Sequence, residues 1–426
     1  MTAADDATEA ASPSLPPLRR NRDYVVLTTG QVIEAIGSGM TGLALLLLAY
    51  DVTGSAAQAG IVSAGFGLGQ LLMGLPAGAY VDRWDRKKTL IVTALLLTVV
   101  MSTIPLAGLL WQVTFPHLLV VGVADGLIAA FIWPAGRAAM KALVPPAQLG
   151  QAATVAQARM GVGALVGPAV AGALFAVSRT LPFVVNSALM LLAALGYRFI
   201  GKHLPAPERS PDEPPSNLVR DVQEGLRWVW RTAPVRDMVG VGMLLNLAAN
   251  GIITVAILGL QRDGVPPQAL GAVESAAGAA GIVGALVASV VLKRVSVGWA
   301  AVAVVWLDVA MLSLMPLSSS PWWVGGILCA CVLTMPTINA GMGAFMMHLT
   351  PDAMQGRSGS ASSFVSMAMM PLATGAAGFL LEHLGRTWAI LSYVAVLALA
   401  GVLVALSRNI RTIPRTDRFD EVPEAT

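Results

Sequence analysis

Apolar runs that are long enough to cross a bilayer recur along almost the whole 426-residue chain. An α-helix needs roughly 20 mainly apolar residues to span the hydrocarbon core, and the runs match that length. The chain is 56% hydrophobic and only 12% charged, which is more apolar surface than a water-soluble core can bury. The sequence therefore predicts an all-α polytopic membrane protein with lipid around its helices.

Twelve such runs can be placed on the chain, at about 24–50, 56–81, 89–110, 116–139, 150–177, 180–200, 237–260, 268–292, 298–317, 322–347, 357–381 and 387–407. Because the number is even, both termini lie on one side. The tails and loops of that side carry 23 of the 27 Lys and Arg residues, so the positive-inside rule predicts a plasma-membrane protein with both termini in the cytoplasm. The polar first 23 residues contain no signal-peptide pattern, and we expect the first span to direct insertion.

The chain divides into two similar halves. Three prolines recur at offsets between 202 and 206 residues, in the pairs Pro134 and Pro336, Pro145 and Pro351, and Pro168 and Pro371. Internal repeats of this kind are typical of transporter folds, and they predict twelve transmembrane helices in two pseudo-symmetric six-helix bundles. The expected organisation is a cytoplasmic tail at 1–23, bundles at 24–200 and 237–407, a linker at 201–236, and a cytoplasmic tail at 408–426.

The linker itself has two parts. Its first part is rich in proline and should be extended, with Pro205, Pro207, Pro211, Pro214 and Pro215. Its second part places four apolar residues on one face of a helix, namely Leu218, Val222, Leu226 and Val229. With two tryptophans nearby, this pattern predicts an amphipathic helix lying in the membrane interface.

A dense group of charges separates spans 2 and 3. It contains Gly78, Asp82, Arg83, Asp85, Arg86 and Lys87. Such charges cannot lie in hydrocarbon, so the segment must form a turn at the water interface. It resembles the Gly-x-x-x-Asp-Arg-x-Gly-Arg-Lys motif of major facilitator superfamily transporters. Asp85 stands where that motif has its second Gly, which is similar to the twelve-helix drug/proton antiporters related to macrolide and siderophore exporters.

The resemblance implies that this segment is a conformational switch. In the outward-facing state, Gly78 would let the cytoplasmic ends of spans 2 and 11 approach, and Asp82 would lie near residues 358–360 at the start of span 11. Free N–H groups at a helix N-terminus favour such an anion. Arg83 and Arg86 would add ion pairs, with Asp85 as a local partner.

Small residues and a proline lie close together in span 5, at Gly163, Gly167, Pro168 and Gly172. Small residues four apart let a neighbouring helix approach closely, and proline bends the helix. This run resembles the Gly-Pro motif that superfamily exporters carry in helix 5, which implies antiport. Packing alone is the simpler function of such residues.

Four acids lie within the predicted spans, and buried carboxylates in lipid need a partner, a watery cavity or a proton. Depth places Glu34, Asp125 and Arg159 near the midplane, where an acid–base–acid cluster would load and release a proton. A static ion pair is the alternative. Glu274 lies nearer the outer end of span 8 and is a candidate second proton site or outer gate, whereas Asp308 in span 9 is expected to be structural.

The polar residues available for a substrate cavity are few. The candidate lining residues are Gln31, Phe131, Trp133, Asn246, Asn250 and Asn339. Such an apolar lining suits an amphipathic organic molecule better than a sugar, because desolvated hydroxyls need partners. The sequence contains no catalytic residue set, no nucleotide-binding loop and no metal site. We therefore expect no enzyme activity and no cofactor, and the driving force is expected to be a proton gradient.

The resemblance covers about residues 24–407 and implies a drug-like efflux transporter that works by alternating access in exchange for protons. Its expected partners are a small amphipathic substrate and the lipid bilayer, with no nucleic acid and no obligate protein partner. The main alternative is export of an endogenous metabolite such as a siderophore or a lysophospholipid. A membrane receptor that kept the fold without transport is a third reading, which the charged midplane disfavours.

Overall fold

The computed structural model describes residues 16–205 and 218–421, and every regular element in these ranges is helical. The helices are α1 (Arg22–Thr53), α2 (Ala56–Val81), α3 (Arg86–Leu110), α4 (Phe115–Ala129), α5 (Ile132–Leu143), α6 (Leu149–Val177), α7 (Leu181–Tyr197), α8 (Leu218–Arg231), α9 (Ala233–Arg262), α10 (Pro267–Val291), α11 (Val297–Leu314), α12 (Pro321–Leu349), α13 (Asp352–Leu406) and α14 (Arg408–Arg411). Short 3₁₀ turns lie at Leu18–Arg20, Pro146–Gln148, Met315–Leu317 and Thr416–Glu421.

The predicted twelve spans are confirmed. Ten helical stretches in the described residues are long and apolar enough to cross a membrane, and the shorter α7 adds an eleventh. The last of the ten stretches crosses twice, because α13 turns at Gly385, where φ is 77°. The fourth span is built from two pieces, α4 and α5, which are separated at Ala130 and Phe131.

Side-chain caps fix where several spans begin. The side chains of Asn21, Ser55 and Asp85 accept hydrogen bonds from backbone N–H groups in the first turns of α1, α2 and α3, at 3.1, 3.2 and 2.9 Å. These bonds satisfy N–H groups that have no partner within the helix. The residues next to each helix start therefore determine where α1, α2 and α3 begin.

The spans form two six-helix bundles. In the first bundle, α1 packs against α6 and α7, α2 against α4, and α3 against α7; in the second, α12 packs against α10, and α13 against α9 and α11. Two helix pairs make most of the contact between the bundles, α2 with α13 and α6 with α10. The amphipathic linker helix is present as α8, which packs on α9 and α13. The side chains of Leu218 and Val222, and the linker residues 206–217, lie outside the described residues.

Both ends of the described chain lie at one end of the molecule, which we call the terminal face. There the Asn21 side chain donates to the Leu143 carbonyl at 2.9 Å, and the Thr416 hydroxyl donates to the Leu292 carbonyl at 3.2 Å. The other end, which we call the opposite face, carries the turns that follow α1, α3 and α9. The α1 and α9 residues nearest the opposite face, 43–49 and 255–260, are buried. Packing is therefore tight toward the opposite face.

Candidate functional site

A cavity of about 550 Å³ lies between the two bundles. Its wall comes from helices of both bundles, and most of it is apolar, with Leu45, Phe66 and Met101 among the lining residues. Lining residues on α5, including Arg137 and Met140, extend toward the terminal face. A cavity of this size and character suits a drug-sized organic molecule.

Glu34 and Arg159 lie together on the wall formed by the first bundle. The Arg159 guanidinium donates a hydrogen bond to the Gln31 side-chain oxygen and interacts electrostatically with Glu34. Glu34 is only 2% exposed, and its carboxylate lies beside the Tyr197 hydroxyl. Tyr197 fits there because Gly30 faces its ring, and a Cβ on Gly30 would collide with it. The predicted proximity of Glu34 and Arg159 is therefore present.

Asp125 and Glu274 line the same cavity but stand apart from this pair. Asp125 comes from α4 and Glu274 from α10 of the second bundle. Within residues 16–205 and 218–421, neither carboxylate has a hydrogen bond or an ion pair. The expected cluster of two acids around Arg159 is thus reduced to Glu34 and Arg159, because Asp125 reaches the cavity from a different helix without an ionic contact to Arg159.

Asp308 occupies a different place. It is buried between α11 and α12, where its carboxylate accepts a hydrogen bond from the Thr334 hydroxyl at 3.0 Å. It lines a second cavity of about 50 Å³ inside the second bundle, together with Cys331 and Asn339. A carboxylate that is hydrogen-bonded away from the central cavity fits a structural role.

Of the predicted substrate residues, three line the central cavity. Gln31 and Trp133 do so from the first bundle, and Asn250 does so from α9. The Asn250 amide donates to the Asn246 carbonyl at 2.9 Å, which leaves its side-chain oxygen available to a ligand.

The other three predictions are corrected. Asn246 lies one turn nearer the terminal face, outside the cavity lining, and donates to the Gly242 carbonyl. Asn339 faces the second, smaller cavity. Phe131 packs over Trp84 with ring centroids 6.1 Å apart and planes 5° apart. Its position follows from the break before α5, because Pro134 cannot donate to the carbonyl four residues earlier.

The charged turn between α2 and α3 has an exposed first part and a second part that is bonded to the rest of the first bundle. Among the described residues, none has an atom within 4 Å of a Cβ built on Gly78. Asp82 and Arg83 are exposed, and in the described part of the chain neither side chain has a hydrogen bond or an ion pair. Within the described residues, Asp82 does not make the predicted contact with the start of span 11 in this conformation, as expected for a contact assigned to the other state.

The second part of the turn is anchored within the first bundle. The Asp85 carboxylate caps α3 and lies 3.5 Å from the His203 ring nitrogen, so it is not engaged with Arg83 or Arg86 here. The Lys87 ammonium donates to the carbonyls of Arg198 and Ile200, at 3.0 and 2.6 Å. Lys87 therefore binds the carbonyl end of α7, a role that the motif alone did not predict.

The small residues of span 5 serve two different contacts. Gly163 and Gly167 lie against the α1 backbone, at Ala35 and Gly39. Pro168 and Gly172 instead face α10, where a Cβ on Gly172 would stand 3.1 Å from the Gly271 Cα. The motif therefore packs helices within one bundle and also between the two bundles.

Glycine contacts also bring α2 and α13 together, at the second junction between the bundles. A Cβ on Gly378 would stand 3.0 Å from the Gly60 Cα, and one on Gly67 would stand 3.1 Å from Pro371. The Gln261 side chain adds a bond between the bundles, donating to the Leu47 carbonyl at 2.9 Å. The contacts of Gly60 with Gly378 and of Gln261 with Leu47 lie toward the opposite face. At the other end of α2, no described residue lies within 4 Å of a Cβ built on Gly78. Because the cavity lining also extends along α5 to Arg137 and Met140, the cavity opens toward the terminal face.

Two six-helix bundles that enclose a mainly apolar cavity with a few charged side chains between them have the architecture of a polytopic membrane transporter. A family profile described as Major Facilitator Superfamily matches residues 27–374. The chain belongs to this superfamily. The multidrug efflux pump Tap of Mycolicibacterium fortuitum is 28% identical over 406 residues, which are 92% of this chain and 95% of that protein.

Solved structures show the same fold at low sequence identity. The nucleoside transporter NupG superposes with a TM-score of 0.76 at 10% identity, covering 89% of this chain and 98% of that one. A bacterial homologue of the human lysosomal transporter Spinster, in an inward-facing and occupied conformation, superposes with a TM-score of 0.73 at 14% identity, covering 93% and 98%.

Proposed function

We propose that this protein is a secondary efflux transporter that exports amphipathic organic molecules by alternating access in exchange for protons. The observation that carries the proposal is the central cavity, where Asp125 and Glu274 stand on a mainly apolar wall without an ionic partner among the described residues. Apolar surface binds the body of an amphipathic molecule without strict shape selection, and isolated carboxylates can take up protons or a cationic group. Similarity to the multidrug efflux pump Tap supports the same direction of transport.

The orientation follows from charge. Because 23 of the 27 Lys and Arg residues belong to the tails and loops of the side that carries the termini, we assign the terminal face to the cytoplasm. The cavity then opens toward the cytoplasm, where an exporter loads its substrate. The opposite face is the external one.

Proton coupling is assigned to Glu34 and Asp125, with Glu274 as a second proton site and Arg159 as the charge that responds to the state of Glu34. In proteoliposomes with an imposed pH gradient, we expect Glu34→Gln or Asp125→Asn to lower proton-driven export of a fluorescent amphipathic dye at least about fivefold. Dye binding, measured by fluorescence polarisation in detergent, should change much less. Asp308→Asn is the matched control, because Asp308 is also a buried acid but lies outside the central cavity.

Full proton-driven export by both variants would contradict the assignment. If instead dye binding fails while coupling survives, the two carboxylates recognise the substrate. Equal loss in Asp308→Asn would mean that any buried acid in this fold affects export, and the coupling site would then be unassigned.

A further inference from the structure

A charged contact joins the two bundles at the opposite face. Glu382 lies in α13 just beyond the predicted eleventh span at about 357–381 and before the turn at Gly385. Its carboxylate accepts hydrogen bonds from the Ser55 hydroxyl at 2.5 Å and the Ala57 backbone N–H at 2.8 Å. Both donors belong to the start of α2 in the first bundle. The second bundle thus supplies a carboxylate cap to a helix of the first.

The position is favourable for a negative charge. The first turn of a helix carries free N–H groups and the positive end of the helix dipole. The bonds from Ser55 and then Ala57 hold the pKa of the exposed Glu382 carboxyl below its usual range. The other charged or titratable groups that act on it are His383 and Arg262 of α9, and both favour the carboxylate form when they are cationic.

The equivalent junction of α6 with α10 has no such cap. The start of α10 is formed by Pro266 and Pro267 and has no side-chain cap. Arg179, which follows α6, pairs with Asp51 at 2.7 Å inside the first bundle. Within the described residues, Glu382 is therefore the one acid whose hydrogen bonds cross between the bundles at this face.

We propose that Glu382 is a positioning residue of the transport cycle, which stabilises the closed opposite face by capping α2 across the junction of the bundles. The contact must break whenever the cavity opens at that face, because Glu382 and Ser55 belong to the two bodies that separate. The role of this contact in transport rests on the proposed function. The contact itself, and its effect on the equilibrium between the open and closed opposite face, do not rest on it.

The pH dependence has a defined sign. The charged form of Glu382 makes the cap, so the cap is intact at neutral pH and is lost as pH falls through the lowered pKa. Acid at the opposite face therefore favours opening of that face. In an exporter driven by external protons, opening of the opposite face at low external pH would help to release the substrate to the outside.

The test is a distance measurement by double electron–electron resonance. Spin labels at the exposed residues Gln112 and Ser319 report the separation of the bundles at the opposite face, in a background with Cys329 and Cys331 replaced by alanine. We expect Glu382→Gln to raise the ratio of the open to the closed population in the distance distribution about two- to fivefold. This is the range for a charge at an exposed helix N-terminus. Ser55→Ala should act in the same direction and should not add fully to Glu382→Gln.

The matched control is Arg179→Gln, which breaks an ion pair within one bundle at the same face and should leave the ratio unchanged. Acidification should raise the ratio less in Glu382→Gln than in the wild-type chain, because the protons taken up by Glu34 and Asp125 still act in the variant. An unchanged ratio in Glu382→Gln, or an equal shift in Arg179→Gln, would overturn the proposal. Absence of dye export by the wild-type chain would overturn the proposed function and leave these distances valid.

Discussion

The two junctions between the bundles share one kind of contact and differ in another. Near the opposite face, glycine meets glycine in both, at Gly60 and Gly378 in the junction of α2 with α13 and at Gly172 and Gly271 in the junction of α6 with α10. Backbones approach closely there because no Cβ intervenes. These contacts let each pair of helices meet tightly near the opposite face.

The two junctions differ in their packing toward the terminal face and in the charged residues beside them. In the junction of α6 with α10, Ile282 reaches Gly161, and a Cβ on that glycine would stand 3.0 Å from the side chain. In the other junction, no residue of the described ranges lies within 4 Å of a Cβ built on Gly78. The first turn of α2 is capped by Glu382, and its last turn is followed by the exposed Asp82. The comparison therefore singles out α2 as the helix with a carboxylate at each end, Glu382 at its first turn and Asp82 after its last, and we propose that each carboxylate stabilises a different conformational state.

The largest expected effect comes from filling a glycine contact. In Gly378→Leu the added Cβ would collide with the Ala56 carbonyl oxygen, and overpacking of this kind costs about 1–3 kcal/mol. We expect the share of molecules closed at the opposite face to fall roughly 5–150-fold, measured by the distance between labels at Gln112 and Ser319. Gly172→Leu should have a similar effect if the two junctions are equivalent, and a much smaller effect would make α2 with α13 the dominant junction.

The control for both variants is Gly343→Leu, because Gly343 has no neighbouring atom within 4 Å of an added Cβ. It should leave the distances and the yield of folded protein unchanged. A closed opposite face in Gly378→Leu would show that the glycine contact does not hold the bundles together.

A smaller effect is expected at the other end of α2. Asp82 has no partner within the described residues in this conformation, so Asp82→Asn should leave folding and membrane insertion intact. It should weaken the outward-facing state by about 1–2 kcal/mol, the upper range for an anion at a helix N-terminus, which is roughly a 5–30-fold change in population. Cysteine crosslinking between the terminal-face ends of α2 and α13 should report the loss, together with slower export.

Lys88→Gln is the control variant for Asp82→Asn. Lys88 is an exposed charged residue of the same segment, but it takes no part in the proposed contact. Unchanged crosslinking together with normal export in Asp82→Asn would remove Asp82 from the switch and leave it an ordinary acid of the turn.

The sequence predicts the spans well because each is a local property of length and apolarity. The close contacts of Gly167 and Gly172 were also predictable, since small residues at helical spacing indicate close approach. The partner helices were not predictable, because spacing along one helix does not tell which neighbour faces it. For the same reason Gly172 meets α10, which the motif alone did not indicate.

The candidate site was predicted in part. Glu34, Arg159 and Trp133 line the cavity, and their apolar surroundings and midplane depth were the signals. Phe131 was misplaced because the break before α5 turns it away from the cavity. Tyr197 was missed because a tyrosine at the end of a span usually lies at the interface. Glu382 was missed because its partner Ser55 is 327 residues away along the chain.

The central claim is that the two faces open in alternation, and paired distances at both faces test it most directly. Labels at Gln112 and Ser319 report the opposite face, and labels at the exposed residues Lys141 and Lys293 report the terminal face. As the pH is lowered or an amphipathic dye is added, the first distance should lengthen while the second shortens, and the two populations should change in equal proportion. Distances that lengthen together, or that stay fixed while the protein exports dye, would contradict alternating access.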